Sequence, residues 1–153
     1  MWCLTDPSHA LLAGWNDVPV IAVETLGAES FNMAVRAGKV VTKESMTSIA
    51  RSLGAMTVSE ESLRLTKIHP IISHIVTDEA AVRACIQFGD DHRVLVEPSC
   101  GATLAIAYEP GLLKRLVPSL NPKSKVIIIA CGGQMTSPQQ MQEWAAAFPN
   151  SKL

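Results

Sequence analysis

The stretch KVIIIACGGQ, residues 125–134, contains four consecutive β-branched residues, Val126–Ile129, with no polar residue between them. An unbroken apolar run of this kind is typical of a parallel strand that is covered on both faces. The run stops at Cys131, Gly132 and Gly133, and a helix with Ser137 as its cap and Pro138 in first position is predicted next. Ligands of open α/β sheets bind beyond the carboxyl ends of the strands. This junction therefore predicts a ligand site.

The rest of the chain alternates between short β-branched segments and segments with helical spacing of apolar residues. That order favours an α/β fold, a parallel sheet with crossover helices. Strands are predicted at 18–24, 73–77, 94–96 and 125–130, and helices at 29–38, 43–55, 59–68, 77–89, from Ser99 to an interruption at Pro110, and from Ser137 to Phe148.

Composition limits the classes of function. The chain has 153 residues, 48% hydrophobic and 18% charged, which favours one globular domain over a disordered segment. Its 13 basic and 14 acidic residues form no single-sign patch, which argues against nucleic acid and anionic membrane as partners. There is no secretory signal pattern and no apolar stretch long enough to span a bilayer, so we expect a cytoplasmic protein.

The cysteines and histidines show no metal-binding spacing. Cys3, Cys85, Cys100 and Cys131 form no C-x-x-C pair, and the four histidines lie apart. We interpret Cys85 and Cys100 as packing residues on apolar helix faces. Isolated cysteines of this kind are the usual state in a reducing compartment.

Four turns near predicted strand and helix ends are candidate sites: 24–31, 51–56, 96–104 and 130–137. Their glycines allow a ligand close to the backbone, and the following helix amino ends favour anions. None contains G-x-G-x-x-G or G-x-x-x-x-G-K-[ST]. Residue by residue, Glu24 fits either a helix-end carboxylate or a metal ligand, and Cys131 either a small core residue or a site thiol. Spacing and composition therefore predict a site at the strand ends without identifying its ligand.

Several motifs in a fixed order carry a resemblance to a known family. From Gly14 to the end, the chain is similar to the carboxyl-terminal half of the L-serine dehydratase / L-threonine ammonia-lyase family. These are pyridoxal phosphate enzymes of fold type II. The matching motifs are GWNDVPVIAVETLGAESFNMAVRAGKVV (14–41), SIARSLGA (48–55), HPIIS (69–73), VLVEPSCGATLAIAY (94–108) and VIIIACGG (126–133).

The resemblance implies a cofactor site and a cation site. Cys131 would face the pyridine nitrogen of pyridoxal phosphate, Gly132 would leave room beside the ring, and Ser52 would lie against one ring face. A monovalent cation such as potassium would be bound mainly through oxygen atoms. The residues implied for this cation are Glu24, Ala28, Leu53 and Ala55.

The chain also departs from the family pattern. It contains no S-x-K-x-R-G motif for the Schiff-base lysine, and no tetraglycine phosphate loop precedes Gly14. We therefore interpret residues 1–13 as a divergent amino-terminal segment and 14–153 as the carboxyl-terminal part of an incomplete large domain. No catalytic residue is assigned within this chain. Since that lysine binds the cofactor and takes the substrate's α-proton, we expect no activity from the chain alone.

Three functions remain open. The chain forms part of an enzyme that deaminates L-serine to pyruvate and ammonia once the missing half is supplied. Alternatively, it is a non-catalytic truncated isoform that binds or regulates full-length serine dehydratase subunits, or a residual ligand-binding domain. Because an unpaired strand leaves an apolar edge exposed, we expect a homo-oligomer or pairing with a full-length dehydratase.

Overall fold

The computed structural model describes residues 14–149, so the predicted divergent segment 1–13 lies outside the described residues. The chain forms two compact units, which divide after Ile75. Each unit is described by itself. The division into 1–13 and 14–153 stays a prediction.

The first unit contains a two-stranded sheet. Strand β1, Val20–Thr25, is followed by helix α1, Ser30–Ala37, a 3-10 turn at Arg51–Leu53, helix α2, Glu60–Leu65, and strand β2, Ile71–Val76. The two strands are neighbours, and the Val20 N–H donates to the Pro70 carbonyl at 2.9 Å, where both strands begin. The strands are thus parallel and joined by a helical crossover, which confirms the predicted α/β class.

The core of this unit lies between β1 and the two helices. Its buried members are Ala22, Phe31, Ala34, Val58 and Leu63. Helix α1 ends where predicted, at Gly38, which adopts φ 66° in the left-handed region that glycine favours. Helix α2 begins with Ser59 as its cap, as predicted: the Ser59 hydroxyl accepts from the Ser62 N–H at 3.1 Å.

The helix predicted at 43–55 is wrong apart from the short 3-10 turn at Arg51–Leu53. Most of this segment is an irregular connection, and backbone N–H groups in it donate to residues outside the segment. The Lys43 N–H donates to the Met56 carbonyl, and the Thr47 N–H donates to the Gly27 carbonyl. These tertiary hydrogen bonds replace helical ones, so apolar spacing misled the prediction.

The second unit is mainly helical in the described residues. Its helices are α3, Asp78–His92, α4, Pro98–Tyr108, α5, Leu112–Leu116, and α6, Pro138–Ala147. Helix α3 begins after Thr77, as predicted, but continues past Gly89 and ends at Arg93 with φ 59°. Within residues 14–149 no helix has both the length and the apolar character to cross a bilayer.

Helices α3 and α4 pack closely because of one glycine. A Cβ atom on Gly101 would lie 2.2 Å from the Ala81 carbonyl oxygen and 2.5 Å from the Cys85 Sγ. Only the absence of a side chain permits this backbone approach. Almost all of α4 is buried, and it ends before Pro110, as the sequence predicts.

The strands predicted at 94–96 and 125–130 are wrong in the structure: neither segment forms a ladder. A strand exists through backbone hydrogen bonds to a neighbour, and the described residues provide none for these two segments. Helix α6, in contrast, begins as predicted. The Ser137 hydroxyl accepts from the Gln140 N–H at 3.2 Å, and its apolar stripe is half-buried.

Candidate functional site

The residues proposed from the sequence fall into two groups, one in each unit. The first group lies at the end of β1 and in the segment 47–55. The second lies at Cys131 and Gly132, directly after the apolar run 125–130.

Glu24 lies at the end of β1 and is 1% exposed. Its Oε1 accepts from the Phe31 N–H and its Oε2 from the Asn32 N–H, both at 2.8 Å. These N–H groups belong to the first turn of α1. Without Glu24 they would have no acceptor within the helix. Burial raises the pKa of the Glu24 carboxyl, although the two backbone hydrogen bonds act in the opposite direction. Glu24 therefore caps α1 from the strand, with each oxygen retaining a further lone pair.

Glu29 forms a partly buried ion pair beside this cap. Its Oε1 lies 3.0 Å from the Lys43 Nζ, with side chains 17% and 11% exposed respectively. Burial acts to raise the Glu29 pKa, but its own backbone N–H, Lys43 and Gly27 reverse this and leave the pKa lowered. Glu29 is thus held as a charged carboxylate, and it supports the turn between β1 and α1.

A buried hydroxyl pair ties this turn to the segment 47–55. The Thr25 Oγ1 and Ser48 Oγ lie 2.7 Å apart, and the Ser48 Oγ also accepts from the Ala50 N–H at 3.0 Å. The segment is close enough that a Cβ on Gly27 would lie 2.4 Å from the Thr47 Oγ1. Glycine at position 27, with φ 94°, is therefore required by both conformation and space.

The predicted cation ligands belong to the two segments that the Thr25–Ser48 hydrogen bond joins. Ala28 is fully buried, and its carbonyl accepts from the Ser30 N–H at 3.1 Å. Leu53 closes the 3-10 turn, and its carbonyl accepts from the Ala55 N–H at 2.8 Å. In the described part of the chain no three His, Cys, Asp or Glu side chains form a metal cluster. A cation here would thus depend on carbonyl oxygens together with Glu24, and its binding stays a prediction.

Ser52 lies in the same 3-10 turn and is exposed. Its predicted role at the cofactor ring is also untested.

In the second unit, the Cys131–Gly132 loop is held by a residue that we had interpreted as packing only. The Cys100 Sγ accepts from the Cys131 N–H at 3.2 Å and donates to the Gly132 carbonyl at 3.4 Å. The same carbonyl accepts from the Glu97 N–H at 3.3 Å. Cys100 is 1% exposed at the start of α4, so it anchors the loop from a rigid element. Its distance of 31 residues from Cys131 left no local signal for this role.

The two glycines of this loop have different roles. Gly132 has φ 123°, in the region that favours glycine, and a Cβ there would meet no atom within 4 Å. A Cβ on Gly133 would lie 2.2 Å from the Leu95 carbonyl oxygen. Gly133 is therefore required for packing, whereas Gly132 leaves open space beside Cys131.

The cysteines of this unit differ in chemistry. Cys131 is disulfide-bonded in this structure, so the thiol implied by the resemblance is present only after reduction. Cys85 is fully buried, and burial raises its pKa to about 12, which makes it a packing residue without thiolate character.

Comparison with known proteins gives consistent matches. The profile of the family described as pyridoxal-phosphate dependent enzyme matches residues 8–132. The Rattus norvegicus protein "Serine dehydratase-like" is 49% identical over 136 residues, covering 87% of this chain and 41% of the relative. The Rattus norvegicus "L-serine dehydratase/L-threonine deaminase" is 46% identical over 143 residues, covering 92% and 39%.

A solved structure gives the same result. The L-serine ammonia-lyase from the fungus Rhizomucor miehei superposes with a TM-score of 0.89 at 37% identity, covering 93% of this chain and 45% of that one. This chain therefore spans about two fifths of the length of the curated relatives it matches.

Proposed function

This chain belongs to the family of pyridoxal-phosphate dependent enzymes, and from that premise we propose that it is the carboxyl-terminal part of an L-serine (L-threonine) ammonia-lyase. The complete enzyme deaminates L-serine to pyruvate and ammonia. The chain alone is inactive, because none of its residues forms the S-x-K-x-R-G motif that the resemblance requires.

The observation that carries this proposal is the similarity to the fungal L-serine ammonia-lyase over 93% of the chain. A TM-score of 0.89 together with 37% identity goes beyond a shared fold. The fungal enzyme and the two rat relatives carry names of the same reaction class. Their agreement supports lyase chemistry over other pyridoxal phosphate reactions.

The open space at Gly132 fits the edge of a planar cofactor. Pyridoxal phosphate, when bound, withdraws electrons from the α-carbon of an amino acid. In the proposal, the reduced Cys131 thiol would face the ring nitrogen and Gly132 would leave room beside the ring. Cys100 holds Cys131 in position through the hydrogen bond that it accepts from the Cys131 N–H.

A monovalent cation is the second part of the proposal. Glu24, Ala28, Leu53 and Ala55 would surround potassium, and the Thr25–Ser48 hydrogen bond ties their two segments together. We expect the melting temperature of the chain to rise with potassium chloride more than with choline chloride at equal ionic strength. Glu24→Gln should remove this difference, and Glu61→Gln, at an exposed position, should retain it. Equal responses to both salts would exclude the cation site.

Pyruvate formation tests the lyase assignment. The reduced chain is mixed with pyridoxal phosphate and L-serine, alone and after co-expression with the amino-terminal remainder of the rat "Serine dehydratase-like" protein. We expect pyruvate only from the co-expressed pair. Pyruvate from the chain alone would show that one of its own lysines is catalytic. A purified pair that binds pyridoxal phosphate but makes no pyruvate would contradict the lyase assignment.

The exposed apolar run 125–130 favours a second candidate function, a truncated isoform that binds or regulates full-length dehydratase subunits. Adding the chain to the intact rat enzyme distinguishes the two candidate functions, the lyase part and the regulatory isoform. A change in the intact enzyme's rate at a stoichiometric ratio would favour regulation.

A further inference from the structure

The ion pair between Glu29 and Lys43 lies in the first unit, near the predicted cation site, and is largely buried. The Glu29 Oε1 and the Lys43 Nζ are 3.0 Å apart, and their side chains are 17% and 11% exposed. The Glu29 Oε2 also accepts from the Gly27 N–H, and the Lys43 Nζ lies 4.0 Å from the Met33 Sδ. Both charges are therefore fixed in position, in contrast to those of an exposed ion pair.

The carboxylates of Glu24 and Glu29 share the turn between β1 and α1. Glu24 accepts from two N–H groups at the start of α1, and Glu29 accepts from the Gly27 N–H just before them. Burial has the largest effect on the Glu24 pKa and raises it, and the two backbone hydrogen bonds lower it. Beyond these effects, Glu29 raises the pKa and Lys43 lowers it. The charges of the ion pair thus act on the carboxylate that is predicted to bind the cation.

Lys43 sets the net charge of this turn. Two carboxylates and one ammonium leave one negative unit, which a monovalent cation neutralises. Without the ammonium, the turn would hold two negative units, and a divalent cation would neutralise them. Because the three side chains are mostly buried, water and salt screen these charges only weakly.

We infer that Lys43 is a specificity-determining residue that makes the cation site prefer monovalent over divalent cations. This inference rests on the proposed function, in which Glu24 and nearby carbonyl oxygens bind potassium. Those donors also suit calcium, which takes carboxylate and carbonyl oxygens in flexible geometry. The choice between the two ions then depends on charge. Lys43 acts on this choice through Glu29 and needs no contact with the ion.

The melting temperature of the full chain tests this inference. It is measured against potassium chloride and against calcium chloride, with choline chloride added to equal ionic strength, and its dependence on concentration gives an apparent affinity for each ion. For wild type we expect tighter binding of potassium than of calcium. Lys43→Met keeps an unbranched apolar side chain and removes the charge. The ratio of calcium to potassium affinity should therefore rise at least about tenfold.

Three further variants separate charge from structure. Lys43→Arg keeps the positive charge and should keep the wild-type preference. The double variant Glu29→Gln with Lys43→Met removes both charges, so the net charge is unchanged and the preference for potassium should return. Arg64→Met removes the positive charge of an exposed ion pair with Glu61, both side chains 56% exposed, and should leave the preference unchanged.

The outcomes distinguish this inference from the proposed function. If wild type responds to potassium and Lys43→Met keeps the same preference, the inference is wrong and the cation site stands. A shift toward calcium that persists in the double variant also contradicts the inference. If neither ion raises the wild-type melting temperature above that in choline, the cation site and the inference are both wrong. The lyase assignment is decided separately by pyruvate formation.

Discussion

Strand β1 and residues 125–130, called here the 125–130 run, have the same length and similar composition, but different surroundings. The sequence VIAVET is paired with β2, and its last four residues are buried. The sequence KVIIIA is more apolar, but it is exposed and unpaired in the described structure. Branched residues thus favour an extended backbone, whereas burial depends on neighbours that the segment itself does not provide.

The two units differ accordingly in what stabilises them. The end of β1 is fixed by Glu24 and Thr25, which bond to α1 and to the segment 47–55. The second unit depends on the packing of α3 on α4. Four measurements test this difference, from the largest expected effect to the smallest.

Gly101→Val should give the largest effect, because its side chain would overlap the Ala81 carbonyl and the Cys85 thiol. We expect a loss of about 3 kcal/mol or more in the free energy of unfolding, measured with urea. Gly89→Ala is the matched control, since its nearest contact would be 3.8 Å, and it should stabilise the chain by about 0.5–1 kcal/mol. Equal changes in unfolding free energy for the two variants would contradict the view that the packing of α3 on α4 stabilises this unit.

Glu24→Gln should destabilise the first unit by about 2 kcal/mol, since an amide leaves one α1 N–H without an acceptor. The pH dependence has a defined sign. Because the folded pKa of Glu24 is raised, its contribution is fully present below the ordinary value of 4.5 and is lost as pH rises through the folded pKa. The difference in unfolding free energy between wild type and variant, measured with urea, should therefore decrease as the pH rises. A difference that widens would contradict the raised pKa.

Thr25→Val tests the buried tie to Ser48. Loss of this 2.7 Å hydrogen bond should cost about 1 kcal/mol of unfolding free energy, measured in the same way. Thr42→Val removes a similar bond, 2.8 Å long to Thr57, at an exposed position, and should have almost no effect. If both variants lower the free energy of unfolding equally, burial does not explain the contribution of the Thr25–Ser48 hydrogen bond.

Cys100→Ala should have the smallest effect, confined to the loop after the 125–130 run. The Cys131 N–H loses its acceptor, and its exchange under reducing conditions should accelerate about fivefold, as a hydrogen bond worth about 1 kcal/mol predicts. Cys85→Ala removes a buried thiol that lies beside Gly101, and the hydrogen bond from the Cys131 N–H to the Cys100 Sγ is retained, so exchange at Cys131 should stay unchanged. Unchanged exchange in Cys100→Ala would mean that other contacts position the loop.

Local signals predicted the ends of most helices. Ser59, Thr77 and Ser137 each accept a hydrogen bond from the third residue beyond them, and Gly38 closes α1. The predicted helix at 43–55 failed because apolar spacing cannot report that Thr47 bonds to Gly27 instead of to its own segment.

The roles of the candidate site residues stay predictions, but their places along the chain follow from the sequence. The resemblance named Glu24, Cys131 and Gly132. Glu24 lies at the end of β1, and Cys131 and Gly132 come directly after the segment 125–130. The anchoring role of Cys100 was not predictable, because it joins residues 31 positions apart through a thiol that composition alone identifies as packing.

The sequence by itself determined the class of the fold, the helix caps and the family, because these depend on neighbouring residues and on ordered motifs. Tertiary structure decided which branched segments become strands, which glycines are required by space, and which thiol holds the site loop. The physical reason is that hydrogen-bond partners and close packing are properties of pairs of segments, and no segment encodes its partner alone.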